Sequence, residues 1–219
     1  MLAESRSRGA VVRSACLAAG AATGAVALGG LLGHAAERVP SRFVRGLVAL
    51  ARAPWAVPGS VLALGMILAF SQELRLILAD RVTFVLALAG TPWILGIAYA
   101  AKALALPLDG IRVATASVDR SLEEASRVSG ASWWTTQRRI VMPLLAPAVI
   151  AGWSLVFASS FCEVSMSVLL RGPSTEVLGT RLFELLSYGS PQQASVVAMI
   201  VVLSVLFAGR ATAWRARWA

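Results

Sequence analysis

Glu123 and Glu124 open the charged stretch of this chain whose residue types and spacing suggest work: EEASRVSGASWWTTQRRIVMPLLAP, residues 123–147. Adjacent carboxylates on a helix-forming run (SLEEAS) are expected to face water, where they can meet basic side chains on a partner. Gly130 follows where a bend is expected, because glycine accepts positive φ or a close backbone approach that a Cβ would block. Trp133 and Trp134 suit the headgroup layer, where indole has one wet and one dry side. Pro143 suits a first helical turn, where its missing N–H is no loss. The expected structure is two short helices along a membrane face with glycine between them. This is docking chemistry; the plainer reading is a solvated loop with an interfacial helix.

Other reactive types are sparse. His34 is the single histidine; it cannot build a metal site without carboxylate help, and at a loop edge it makes a poor base for an intramembrane serine protease. Cys16 and Cys162 lie in apolar runs and read as packing thiols rather than a disulfide. The phosphate-binding pattern G-x-x-x-x-G-K-[ST] is absent, since the sole lysine, Lys102, sits in YAAKALAL. No catalytic residue and no metal ligand set is expected. Glu163 interrupts an apolar run (SSFCEVSMS); a buried carboxylate is costly and tends to be functional, with interfacial capping or pairing as the alternative. Pro54, Pro58 and Gly59 break another run and free backbone carbonyls. Such breaks often line a substrate path, or simply kink a helix where it enters the membrane. Pro58, Gly59 and Glu163 are therefore the candidate path residues.

The elements that must position these residues are membrane spans. Of 219 residues 58% are hydrophobic and 14% charged, with mean hydropathy +0.74, whereas soluble domains carry about 25% charged residues. Spans need about 20 apolar residues, and five runs qualify: 12–33, 54–71, 83–106, 143–165 and 194–210. The expected class is all-α, a polytopic bundle of about five transmembrane helices. A β-barrel is excluded because apolar residues do not alternate. The net charge of +9 and pI near 11.3 could suggest nucleic acid, but the placement of the arginines argues otherwise. They gather in 34–53, 107–142 and the C-terminal tail, which the positive-inside rule assigns to the cytoplasm. The expected organisation is a tail over 1–11, a membrane domain over 12–210 containing the loop 107–142, and a tail over 211–219. Arg6, Arg8 and Arg13 resist the external position that an odd span number gives the N-terminus; a signal peptide is the rival account.

Glu124-Ala125-Ser126 stand four residues before Gly130, and Ile140, Met142 and Pro143 follow that glycine at ten, twelve and thirteen residues. This frame resembles the EAA loop of bacterial ABC importer permeases: E-A-A, three residues, G, nine residues, I-x-L-P. Ser126 replaces the second alanine and Met142 the leucine, both near-isosteric changes. The resemblance covers about residues 12–210. It implies a permease half in the bacterial inner membrane that docks separate ABC ATPases through Glu123, Glu124, Ala125, Ser126, Gly130, Ala131, Ile140 and Pro143. ATP and Mg would be held by the ATPase, with no cofactor in this chain. The further implied partners are a second permease half, identical or not, and an extracytoplasmic substrate-binding protein; nucleic acid is not among them. Family members usually have six spans, so a first helix is missing from the pattern. The region from Glu163 to residue 195 looks like permeases for ferric iron, and thiamine, polyamine and phosphonate permeases look similar there. The competing function is a secondary transporter driven by an ion gradient without an ATPase.

Overall fold

The computed structural model describes residues 2–70, 74–78, 81–86, 88, 90–172, 175–189, 192, 194–199, 202, 203 and 206. Helix α1 (Leu2–Arg38) runs straight through the expected 1–11 tail. Its Arg8–Arg38 part is apolar enough to cross a membrane, and its 31 residues extend about 46 Å at 1.5 Å per residue. Alanine and glycine make it a weak span by transfer energy but a good packing surface. Gly29 and Gly33 lie one above the other, four residues apart. A Cβ on Gly33 would stand 2.5 Å from the Leu108 carbonyl oxygen, and one on Gly29 3.0 Å from the Leu108 nitrogen. Small residues at this spacing let helix backbones approach closely.

Between α1 and the next span the arginine-rich stretch is not a loop. Ser41 accepts from the Phe43 N–H and starts α2 (Arg42–Ala56), which buries Val48 and Ala51 against Leu108. The expected second span, 54–71, divides: α2 ends at Val57, and α3 (Gly59–Phe70) leaves at 112°. Pro58 forces this, because the residue before a proline is driven out of the helical region, and Val57 is extended (φ −91, ψ 132).

The expected third span, 83–106, starts later. Residues 81–86 form a strand (β2, Arg81–Leu86) antiparallel to β1 (Leu74–Leu78), with Leu74 opposite Leu86. The β-branched Val82, Thr83 and Val85 favour that conformation. Helix α4 (Pro92–Ala103) begins only at Pro92, after an extended Thr91 and Gly90 at φ +75. It bends by 41° into α5 (Ala105–Ser117). Pro107 explains the bend: it offers no N–H to the Ala103 carbonyl, and its ring crowds that oxygen. Residues 107–117 of the expected loop thus belong to α5, whose Leu108 and Ile111 are buried.

The loop proper holds α6 (Arg120–Val128) and α7 (Trp133–Thr136). The second does not stand alone. It continues through one wide π turn, Gln137–Val141, into α8 (Met142–Phe161), so Trp133–Phe161 is one long apolar helix. Met142 N–H reaches back to the Gln137 oxygen, and Pro143, which has no N–H to give, follows that turn. Pro143 therefore opens the regular part of α8 but not the helix itself. Gly152 on α8 faces Pro107, where a Cβ would come within 3.1 Å. After a break at 162–164 come α9 (Ser165–Leu170) and α10 (Leu178–Tyr188). Among the described residues there are two spans, or up to four if each bent pair counts as one. Of the expected fifth span, 194–210, the structure describes 194–199, 202, 203 and 206, all of them helical, and the tail 211–219 lies wholly outside the described residues.

Candidate functional site

Two places gather the residues singled out by sequence. The first is the turn between α6 and α7. Asp119 caps α6 by accepting the Ser121 N–H, which holds its carboxyl below the usual carboxylate range. At the other end Gly130 has φ +81. Gly130 N–H donates to the Arg127 oxygen at 2.9 Å, and Ala131 N–H to the Ser126 oxygen at 3.1 Å. This pair of bonds is a Schellman motif, in which the residue after the cap must be left-handed. Nothing lies within 4 Å of a Cβ built on Gly130, so conformation rather than close approach demands the glycine.

Ser126 Oγ then meets Thr136 Oγ1 at 2.9 Å, clamping α6 onto α7. The outer surface of the turn shows Glu124, Ala125 and Gly130 to solvent, together with the large side chains Val128, Trp133 and Trp134. Ser126, Ala131 and Ile140 are half-buried, and Pro143 is exposed.

Glu123 is the exception. It points inward, 2.7 Å from Arg38 at the end of α1, and the two side chains are 9% and 14% exposed. The expectation that it faces the cytosol is corrected: α6 is amphipathic, and Glu123 lies on the face turned to the bundle. Arg38 also donates to the Val118 oxygen, Arg112 pairs with Glu37 at 2.6 Å, and Arg120 donates to the Glu37 oxygen at 2.7 Å. His34 lies one turn before Arg38, with its Nδ1 buried and without a hydrogen bond.

The second place is inside the bundle. Glu163 lies just beyond α8, in the break before α9, rather than within the span. One carboxylate oxygen receives Lys102 Nζ at 3.2 Å, and the other the Met166 N–H at 3.3 Å. Ser167 Oγ bonds Tyr99 OH at 2.6 Å. Tyr99, Lys102, Ser159, Ser160 and Glu163 line a small cavity, and the Ser160 hydroxyl is buried without a partner. Gly59 abuts the ion pair: a Cβ there would sit 2.7 Å from Lys102 Nζ and 3.4 Å from Glu163. Lys102 is placed by the Pro107 bend, Gly59 by the Pro58 break, and Glu163 by the end of α8. Three helix irregularities therefore converge on one ion pair.

Residues 25–214 match the family model described as "binding-protein-dependent transport system inner membrane component". The chain belongs to this family. It is a membrane permease component of the ABC transporter type, located in the inner membrane. It is 31% identical over 202 residues to the spermidine/putrescine transport system permease protein PotC of Haemophilus influenzae, covering 90% of this chain and 72% of PotC. It is 31% identical over 163 residues to y4fN of Sinorhizobium fredii, described as a probable ABC transporter permease protein; that match covers 74% of this chain but only 28% of the relative's length. In fold it resembles a chain of the inward-facing MetNI methionine ABC transporter, with a TM-score of 0.72 and 16% identity, covering 95% of this chain and 93% of that one.

In the permease, Gly59 and Glu163 of the sequence-named path residues come together, and Pro58 acts one step away by setting the break. Glu124, Ala125 and Gly130 share the exposed turn. Lys102, Tyr99 and Arg38 were missed as site residues. Lys102 carried a usable signal, a lone lysine amid apolar residues, which needs a partner. Arg38 carried none, being one arginine among several in a basic stretch.

Proposed function

We propose that this chain is one permease half of an ATP-driven importer, with the α6–α7 turn as the seat of a separate ABC ATPase. The observation that carries the proposal is the turn itself. Its backbone is fixed by a Schellman motif and a Ser126–Thr136 clamp, yet its outer surface presents Val128, Trp133 and Trp134 unburied beside Glu124. A fixed, partly apolar projection suits the cleft of a partner that moves on binding ATP. The ATPase holds ATP and Mg; this chain's part is to take up the stroke at α6 and α7 and pass it into α8, with which α7 is continuous. A second permease half completes the path, and a binding protein outside delivers the cargo.

The cargo path passes Gly59, Lys102 and Glu163 in this reading. A small charged organic solute suits that pair better than ferric iron, which the residues after Glu163 resemble in phrasing alone. Among the described residues no three His, Cys, Asp or Glu side chains gather as a metal site would require, and PotC is named for spermidine and putrescine.

Purification of the chain from native membranes in mild detergent tests the proposal. An ATPase with a phosphate-binding loop should co-purify, and Gly130→Asp should release it while the chain remains inserted. Import that proceeds on an ion gradient, with no ATPase bound, would establish the secondary-transporter reading instead.

A further inference from the structure

The Arg38–Glu123 pair has no place in a docking surface, because neither charge is available to a partner. Both sit at a helix end next to a solvated loop, where arginine and glutamate are ordinarily exposed. Here they are 14% and 9% exposed and 2.7 Å apart. Around them, Arg38 holds the Val118 oxygen just ahead of α6, Arg120 at the first turn of α6 holds the Glu37 oxygen, and Arg112 holds the Glu37 carboxylate. The docking helix is thus bonded to the end of α1 through a backbone oxygen of its N-terminal approach and side chains of its first turn and buried face. At the far end of α1, Arg13 donates to the Glu176 oxygen at 2.9 Å, and Ser14 accepts the Leu178 N–H at 2.7 Å. One rigid helix joins the docking turn to the segment entering α10 at the opposite end of the bundle.

We propose that Arg38 and Glu123 are positioning residues that lock α6 to α1, so that movement of the docking helix is carried by α1 to the far end of the bundle as well as by α8. This rests on the reading of the α6–α7 turn as an ATPase seat. A buried ion pair suits such a joint, because separating it leaves two desolvated charges unpaired and it resists gradual slip. The pair acts on transport through helix position and touches no solute.

The test uses the assembled importer with its ATPase and needs no knowledge of the cargo. In a background of Cys16→Ala and Cys162→Ala, spin labels are placed at Val39→Cys and Arg127→Cys, both positions exposed and neither among the docking side chains. Labelled chain is diluted with unlabelled chain so that distances arise within one copy. Trapping with ATP and vanadate should leave the 39–127 distance unshifted in the otherwise native chain. In Arg38→Met with Glu123→Gln the distance should shift and broaden on trapping, with the ATPase still bound. Arg38→Lys, which keeps the charge, should hold the native distance. If the double variant does not assemble, Glu123→Gln alone, of equal size, carries the same expectation. A shift in the native chain, no shift in the variants, or loss of ATPase binding by both variants would each overturn the proposal. Failure of the native chain to bind any ATPase would instead overturn the docking reading on which the proposal rests.

Discussion

Arg38 and Glu123 lie in stretches read as polar, yet the structure buries them to 14% and 9% exposure; Lys102 and Glu163 lie in stretches read as apolar, yet keep 25% and 14%. Local polarity of sequence did not decide which pair is more sheltered. What decides it is the element packed across each pair. Helix α6 brings Glu123 against the end of α1 at the first, whereas a proline bend and a helix break leave a small cavity beside the second. The two also differ in redundancy. The outer cluster has further donors, Arg112 and Arg120, on Glu37. The inner one has a single base for a single acid, with hydroxyls around them. Loss of one member should therefore be graded in the outer cluster and abrupt in the inner.

The largest effect is expected where the outer cluster can be dismantled without touching it. A side chain at Gly33 would meet Leu108 and Arg112 backbone atoms at 2.5 and 3.1 Å, and backbone cannot step aside. Gly33→Leu should part α1 from α5 and cost about 3 kcal/mol or more, as overpacking against fixed atoms does. Thermal unfolding in detergent reads the loss. Unchanged stability would mean that α1 and α5 do not need their close approach.

The inner cluster supplies the next contrast. Lys102→Met should cost about 3 kcal/mol, because Glu163 is left charged and unpaired. Adding Glu163→Gln should recover most of that stability while import stays low. If the double variant is no more stable than Lys102→Met, the ion pair is not the reason for the loss. If it imports normally, the pair lies off the path.

The smallest effect separates conformation from packing at the docking turn. Gly130 has open space around it and φ +81, so Gly130→Ala should cost only about 1 kcal/mol of backbone strain. Gly130→Asn, which tolerates the left-handed region, should cost less than alanine. A larger loss from asparagine than from alanine would show that the site responds to side-chain size rather than to φ.

Sequence by itself determined what depends on neighbours along the chain. Apolar run length gave the helical membrane class, Gly130 in its frame gave the turn, and Pro58 gave the break between α2 and α3. These follow from hydrogen bonds and sterics reaching five residues or fewer. Apolarity alone placed several boundaries wrongly. Residues 81–86 are as apolar as a span but β-branched, and α7 merges with α8 because a π turn absorbs the proline that would otherwise have ended the helix. Tertiary structure alone decided the partners. Lys102 meets Glu163 across 61 residues, and Arg38 meets Val118 across 80. Glu123 and Glu124 are adjacent carboxylates on the same helix, with the same neighbours in sequence. One is buried against α1 and the other is exposed, because successive helical residues point about 100° apart and only one of the two directions leads to α1.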